Sequence, residues 1–254
     1  MTSHLIAHVT DAHIGQKVFA GSAIGTSKMA YGNDPDAHRA NLKTIFDDLV
    51  ARRITRLVFG GDIGTAASNP WFFAQIAAYG FDLRLVLGNH DTASNVAPFF
   101  STPKAIGSGE LAYVRDDDQV RYIHLDSSSN TISDAQMDWL QRQLDHDQSL
   151  VLFIHHPVLE IGTPLDRSGA ALAGRVQLRD LLVCSRRDIT IFCGHYHMTD
   201  ETADGNIRQF VTPAASYQID QQTGVIGAGR ASFGYRLISV NGTDITTDVV
   251  LFNG

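Results

Sequence analysis

The stretch Leu57-Val58-Phe59-Gly60-Gly61-Asp62 is an apolar run that stops abruptly on two glycines and a carboxylate. A short run of this kind reads as a buried strand, and the glycines free the backbone to turn where it ends. Asp62 is thereby delivered to the strand tip. Four further runs end in the same way. Leu5 to Thr10 gives out at Asp11-Ala12-His13, and Leu83 to Leu87 at Gly88-Asn89-His90-Asp91. Leu150 to Ile154 breaks off at His155-His156-Pro157, and Ile189 to Cys193 at Gly194-His195-Tyr196-His197. Packing alone gives no reason for five strands to close on Asp, Asn or His. The pattern predicts that these tips meet at one metal centre.

A chain of 254 residues is long enough to bury roughly three quarters of its unfolded surface. Its 44% hydrophobic and 19% charged content is that of a globular protein and excludes disorder. A formal charge of -7 leaves no broad basic field, so duplex nucleic acid is not an expected partner. Cys184 and Cys193 form no C-x-x-C pair and read as buried structural thiols. The N-terminus has neither a basic region nor an apolar stretch of signal length, and no run approaches about eighteen apolar residues. A cytoplasmic protein without membrane segments is the expectation.

Between the tips, the segment from Gly15 to Asn33 loses all pattern and reads either as a loop over the site or as a plain surface loop. Asp34-Pro35 resembles an N-cap followed by proline at the first helical position, and Leu42, Ile45, Phe46, Leu49 and Val50 follow at helical spacing. Arg52 and Arg53 close that helix as solvated end charges. Pro70 to Tyr79 reads as a second helix ended by Gly80, with Trp71, Phe72 and Ile76 as core. Leu111 to Val114 and Val120 to Leu125 predict a hairpin around the solvated turn Asp116-Asp117-Asp118. Ser133-Asp134-Ala135-Gln136 is a capping box opening a helix through Met137, Trp139, Leu140 and Leu144. A further helix is expected from about Gly174 to Cys184, and the chain beyond Ile207 reads as antiparallel strands with turns, including the glycines near Gly227. His4, His8, His38, His124 and His146 fall outside the blocks and read as ordinary. With no linker or repeat, residues 1–254 read as a single α/β domain with two sheets and helices outside them.

Open α/β sheets carry their sites at the carboxyl ends of strands, where all the candidate ligands lie. Asp11, His13, Asp62, Asn89, His155, His195 and His197 offer two aspartates, an amide oxygen and four imidazoles. Mixed O/N ligation suits manganese or iron, with zinc or cobalt also fitting, better than magnesium, calcium or copper(I). Asp62, with two oxygens on the middle strand of the set, is the candidate bridge between two metals. Two cations roughly 3.5 to 4 Å apart can share a hydroxide and clamp both oxygens of a phosphoryl displacement. His90 belongs to no obvious ligand set. It is placed to hydrogen-bond a phosphate oxygen or to protonate the leaving alkoxide.

In this order and at these intervals, the five blocks resemble the signature of the calcineurin-like metallophosphoesterases over roughly residues 4 to 220. Within that superfamily the His-His-Pro block and compact length are most similar to bacterial class III cyclic-nucleotide and glycerophosphodiester phosphodiesterases. The resemblance implies a four-layer sandwich, two central mixed β-sheets flanked by α-helices, with a dinuclear site. Asp11, His13, Asp62 and His197 would bind the first metal, and Asp62, Asn89, His155 and His195 the second. By the same analogy His90 contacts phosphate or acts as acid, and Asp91 orients His90 or the turn. His156 either sits behind the ligands or faces the substrate.

Where some relatives carry a further histidine near the site, Ala214-Ala215-Ser216-Tyr217 offers Tyr217 for phosphate. Val158 replaces the second proline of the His-His-Pro block, a change expected to affect loop shape alone. The implied activity is hydrolysis of a small phosphodiester, a cyclic nucleotide or a glycerophosphodiester, by attack of a metal-held hydroxide. A small-molecule phosphomonoesterase and a non-catalytic partner-binding scaffold are the alternatives. Little sequence follows the sheet to cap an assembly, and homo-oligomer formation stays open.

Overall fold

The computed structural model describes residues 3–16, 18–20, 22–23, 30–32, 35–102, 109–117, 119–219, 225–226 and 232–253. The chain begins with β1 (Ser3–Val9), the short strands β2 (Val18–Ala20), β3 (Ser22–Ala23) and β4 (Ala30–Gly32), and helix α1 (Pro35–Ala51). There follow β5 (Arg56–Phe59), α2 (Asn69–Tyr79), β6 (Asp82–Leu85), the single turn α3 (Ala93–Val96), β7 (Tyr113–Asp116) and β8 (Val120–His124). Next come α4 (Asp134–Leu144), β9 (Ser149–Phe153), α5 (Arg175–Cys184) and β10 (Ile189–Cys193). β11 (Asp200–Asp204), β12 (Ile207–Val211), β13 (Val225–Ile226), β14 (Ser232–Asn241) and β15 (Asp244–Asn253) complete it.

Two mixed sheets carry the fold. One has the order β15-β14-β1-β5-β6, parallel from β1 to β6 and antiparallel at β14 and β15. The other has the order β11-β12-β10-β9-β8-β7, with a parallel centre and antiparallel edges. β12 runs parallel to β10, so the chain beyond Ile207 is not the purely antiparallel set that its turns suggest.

Strand periodicity assigns the layers, because alternate side chains leave opposite faces. In β1, Ala7 and Val9 join Leu42, Ile45, Phe46 and Leu49 of α1 in one core. Ile6 turns the other way, with Val58 and Val86, to meet Tyr122, Phe153, Phe192 and Phe210 of the second sheet. On the far side Ile123, Leu152 and Ile191 pack against Leu140 and Leu144 of α4 and Leu178 and Leu182 of α5. Helix, sheet, sheet and helix are therefore stacked in four layers. The central strands are buried on both faces, which is why they read as continuous apolar runs.

Several local expectations change in tertiary context. Val50 is 51% exposed, because the α1 stripe ends at Leu49. Arg52 and Arg53 follow the helix, and Arg52 Nε donates to Asp48 Oδ2 at 2.8 Å. Gly80 does end α2 in a left-handed cap, and Ser133 Oγ does accept the Gln136 N–H. The Gln136 side chain is not the other half of a capping box. It is fully buried and grips the main chain of Asp126, its Oε1 accepting the N–H at 2.7 Å and its Nε2 donating to the carbonyl at 2.8 Å. Asp116 and Asp117 do more than face solvent: the first pairs with Arg121, and Asp117 Oδ1 accepts the Val120 N–H. Cys193 is buried, whereas Cys184 is exposed.

Of the segment 15–33, β2 pairs with β4, and β3 pairs with β13. Nine of its nineteen residues, with Asp34 and Gly227, lie outside the described ones. No described helix is long and apolar enough to cross a membrane. The register of α1 is directly testable by urea unfolding. Leu49→Ala is expected to lose about 2–5 kcal/mol, and Val50→Ala to stay within about 0.5 kcal/mol of the parent.

Candidate metal centre at the strand tips

Asp11 and His13 follow β1, Asp62 follows β5, Asn89 and His90 follow β6, His155 follows β9, and His195 and His197 follow β10. Both sheets thus contribute. Eight described non-glycine residues have positive φ, and five of them are Asp11, His13, Asp62, His195 and His197. Left-handed backbone in non-glycine residues costs about 1 kcal/mol or more each, and it persists only where the surroundings enforce it. Here the loops are tied together. The N–H groups of Asp11 and His13 donate to Gly61 O at 2.9 Å and Asp62 O at 3.0 Å, and Gly194 N–H donates to His155 O at 2.9 Å. The Asp91 carboxylate accepts from the N–H groups of Asp62, Ile63 and Gly88 at 2.7, 3.1 and 3.0 Å, so it organises the turns. At three tips only glycine fits: a Cβ on Gly61 would lie 2.5 Å from Gly88 N, one on Gly88 2.2 Å from Asp62 Oδ1, and one on Gly194 2.5 Å from Asp11 Oδ2.

The side chains converge on one buried space. Asp11 Oδ2 accepts from the Thr10 hydroxyl at 2.7 Å and the His195 N–H at 3.0 Å. Asp11 Oδ1 is buried without a hydrogen bond and lies 3.3 Å from His197 Nε2, 3.7 Å from His13 Nε2 and 3.9 Å from His155 Nε2. Asp62 Oδ1 takes the His90 N–H at 2.8 Å, and its Oδ2 lies 3.5 Å from His13 Nε2 and 3.3 Å from His155 Nε2. His155 Nε2 is also buried and unbonded. Among the described residues, three groups of ligand atoms, each within 4.8 Å of one another, result: Asp11, His13 and His197; Asp62, His155 and His195; and His13, Asp62 and His90.

The outward nitrogens settle the tautomers. His155 Nδ1 meets Gly60 O at 2.8 Å, His197 Nδ1 meets Tyr217 O at 2.9 Å, and His195 Nε2 meets Ala170 O at 2.8 Å. A carbonyl only accepts, so each imidazole donates there and turns its other nitrogen inward. Burial alone would raise the Asp11 and Asp62 carboxyls, but the nearby imidazole charges outweigh it and hold both low. Burial opposes charge on His155, yet Asp62 and Asp11 lift it to about 10. Burial and the charge on His155 together lower His195 to about 4. In the absence of a cation, protons do the work of balancing the two carboxylates.

Asn89, between Gly88 and His90, is exposed. His90 is also exposed, yet its ring joins a donor group that the strand-tip reading did not assign to it. His156 is 1% exposed, bonds Ser127 Oγ at 2.8 Å through Nδ1, and packs behind His195 at 4.1 Å between ring centroids. The Tyr217 ring stands 4.5 Å from that of His197. His38, read as ordinary, is buried and hydrogen-bonds the His13 carbonyl. No local pattern marks that contact, because its partner lies 25 residues away.

Residues 4–199 match the calcineurin-like phosphoesterase family, and the chain belongs to that family of phosphoric ester hydrolases. It is 28% identical over 227 residues to the "Probable glycerophosphodiester phosphodiesterase GpdQ" of Arcobacter nitrofigilis, covering 85% of this chain and 80% of that one. It is 26% identical over 255 residues to a "Probable cyclic nucleotide phosphodiesterase" of Fibrobacter succinogenes, covering 98% and 94%. A dimetal phosphatase from Danio rerio shares the fold, with a TM-score of 0.67 at 13% identity over 96% of this chain and 98% of that one. The family uses divalent metals, and the donors here fit them: unbonded Asp11 Oδ1 and His155 Nε2 face the same space as the other inward nitrogens.

Gly194→Ala is expected to displace Asp11, to abolish metal uptake and to lower the unfolding midpoint of the metal-free protein by several degrees, read by metal analysis beside thermal unfolding. Cation binding must also displace the His155 proton at any pH below about 10. Loading at pH 7 should therefore release protons, and apparent affinity should strengthen as pH rises. Titration calorimetry in buffers of different ionisation enthalpy checks the sign.

Proposed function

We propose that the chain is a dinuclear metal-dependent phosphodiesterase acting on a small diester, a cyclic nucleotide or a glycerophosphodiester, as a single domain over residues 1–254. Asp11, His13, Asp62 and His197 would hold one cation, and Asp62, Asn89, His155 and His195 the other. The observation that carries this reading is the position of Asp62, whose Oδ2 stands 3.5 Å from His13 Nε2 and 3.3 Å from His155 Nε2, imidazoles of different donor groups. When bound, the two cations would supply an activated water near neutral pH and screen the charge of the phosphate. Manganese or iron best suits the mixed donors, with zinc or cobalt next.

The chain's own groups do the rest. Gly60, Tyr217 and Ala170 carbonyls hold His155, His197 and His195 in their ligating tautomers. Asn89 adds a neutral oxygen, which avoids further negative charge where a phosphate approaches. His90, grouped with Asp62 and His13, and Tyr217, whose ring stands 4.5 Å from that of His197, would contact phosphate oxygens. The names of the two relatives support a diester over a monoester. The unpaired Cys184 and Cys193 agree with a reducing, cytoplasmic setting.

Metal analysis of the manganese-loaded protein should give a stoichiometry of two, and a nitrophenyl diester should turn over faster than the monoester. Asn89→Ala should lose one cation and most activity. Faster monoester turnover would overturn the diester assignment, and a stoichiometry of one would overturn the dinuclear site.

A further inference from the structure

His13 and His90 compete for the same description. Their rings stand edge to face 5.1 Å apart, and both lie with Asp62 in one group of ligand atoms. Proximity does not say which of them binds a cation. Gln16, a residue that no strand-tip motif contains, separates them.

Gln16 is set by a pinned turn. Its N–H donates to His13 O at 3.0 Å, Gly15 before it has φ 75°, and Ile14 O is fixed by the Thr65 N–H at 2.9 Å and the Ser68 hydroxyl at 2.8 Å. Its amide stands between the two imidazoles. Oε1 meets His13 Nδ1, and Nε2 meets His90 Nδ1 at 2.9 Å. An amide oxygen only accepts and an amide nitrogen only donates. His13 therefore carries its proton on Nδ1 and turns the lone pair of Nε2 toward Asp11 and Asp62. His90 receives an N–H on Nδ1, so its own proton sits on Nε2.

The reverse orientation of the amide suits only a cation-free site. It would place an N–H against His13 Nδ1 and move the His13 proton to Nε2, which is 3.0 Å from His197 Nε2. His197 already donates from Nδ1 to Tyr217 O, so its Nε2 also faces inward for a cation. A proton on His13 Nε2 would occupy that space.

We propose that Gln16 is a positioning residue that assigns the two histidines opposite tasks, His13 as a cation ligand and His90 as a neutral hydrogen-bond donor through Nε2–H to a phosphoryl oxygen of the substrate. This rests on the hydrolase reading above, and it deepens it. A neutral imidazole whose Nδ1 accepts from an amide does not deliver its remaining proton to a leaving alkoxide. His90 stabilises charge on the phosphoryl group, and no proton changes hands at that residue.

Gln16→Glu keeps an acceptor for His13 and replaces the donor facing His90 by a second acceptor. Nitrogen-15 NMR of the zinc-loaded protein should show the His90 proton on Nε2 in the parent and on Nδ1 in Gln16→Glu. Metal content should be unchanged. Turnover of a diester should fall about 100-fold in Gln16→Glu and in His90→Ala, equally for good and poor leaving groups, as expected for loss of one donor to developing charge. Gln16→Leu, which removes both contacts, should in addition weaken cation affinity about 10- to 100-fold.

A parent His90 protonated on Nδ1 would overturn the proposal, as would unchanged His90 signals and turnover in Gln16→Glu. Selective slowing of poor leaving groups in His90→Ala would make His90 a general acid and overturn it as well. If the parent cleaves no phosphate ester, the hydrolase reading fails by itself, and the NMR pattern still decides the role of Gln16.

Discussion

Two carboxylates buried side by side set the terms for this molecule. Asp11 Oδ1 and Asp62 Oδ2 both lie within 3.9 Å of His155 Nε2, and neither side chain is more than 2% exposed. Burying a charge is costly unless it is compensated, and burying two of like sign is costlier still. Imidazolium protons offset that cost in the metal-free protein, as the raised His155 shows. A cation can take the place of those protons, since the inward nitrogens and the unbonded Asp11 oxygen already face one another. The site is thus a store of electrostatic frustration relieved by the group that it is built to hold.

The fold supplies the rigidity that this frustration needs. The apolar layer between the sheets, from Ile6 and Val58 to Phe153, Phe192 and Phe210, aligns the carboxyl ends of both sheets at one end of the molecule. Backbone hydrogen bonds then run from tip to tip, and Gly88 and Gly194 let the loops close to distances that a Cβ would forbid. Left-handed conformations at five ligand-type residues are the local expense of this convergence. Around it, the main-chain carbonyls of Gly60, Ala170 and Tyr217, with the Gln16 amide, act as fixed acceptors. They decide which nitrogen of each ring faces inward.

Much of this was legible in the chain, and the reason differs from element to element. The strand tips could be read because an apolar run and the glycines and polar residues that end it are adjacent in sequence. The Gly80 and Ser133 caps could be read for the same reason. Val50 was misplaced because helical spacing marks a stripe but not its width. Gln136 was assigned to a capping box because its true partner, the main chain of Asp126, lies 10 residues away across a loop. Gln16 carried no signal at all, since its role requires His90, 74 residues on.

The sequence by itself determined which residue types stand at the ends of the strands, and hence that oxygen and nitrogen donors would be available to a metal. It also determined the α/β class, because periodicities of two and of 3.6 are properties of the local chain. Only the tertiary structure decided that the tips of two different sheets meet, which nitrogen each imidazole presents, and that His156 lies behind His195. Those facts depend on hydrogen bonds such as that from His155 to Gly60, 95 residues apart. Such bonds exist only after the two sheets have packed face to face, and no local pattern encodes them.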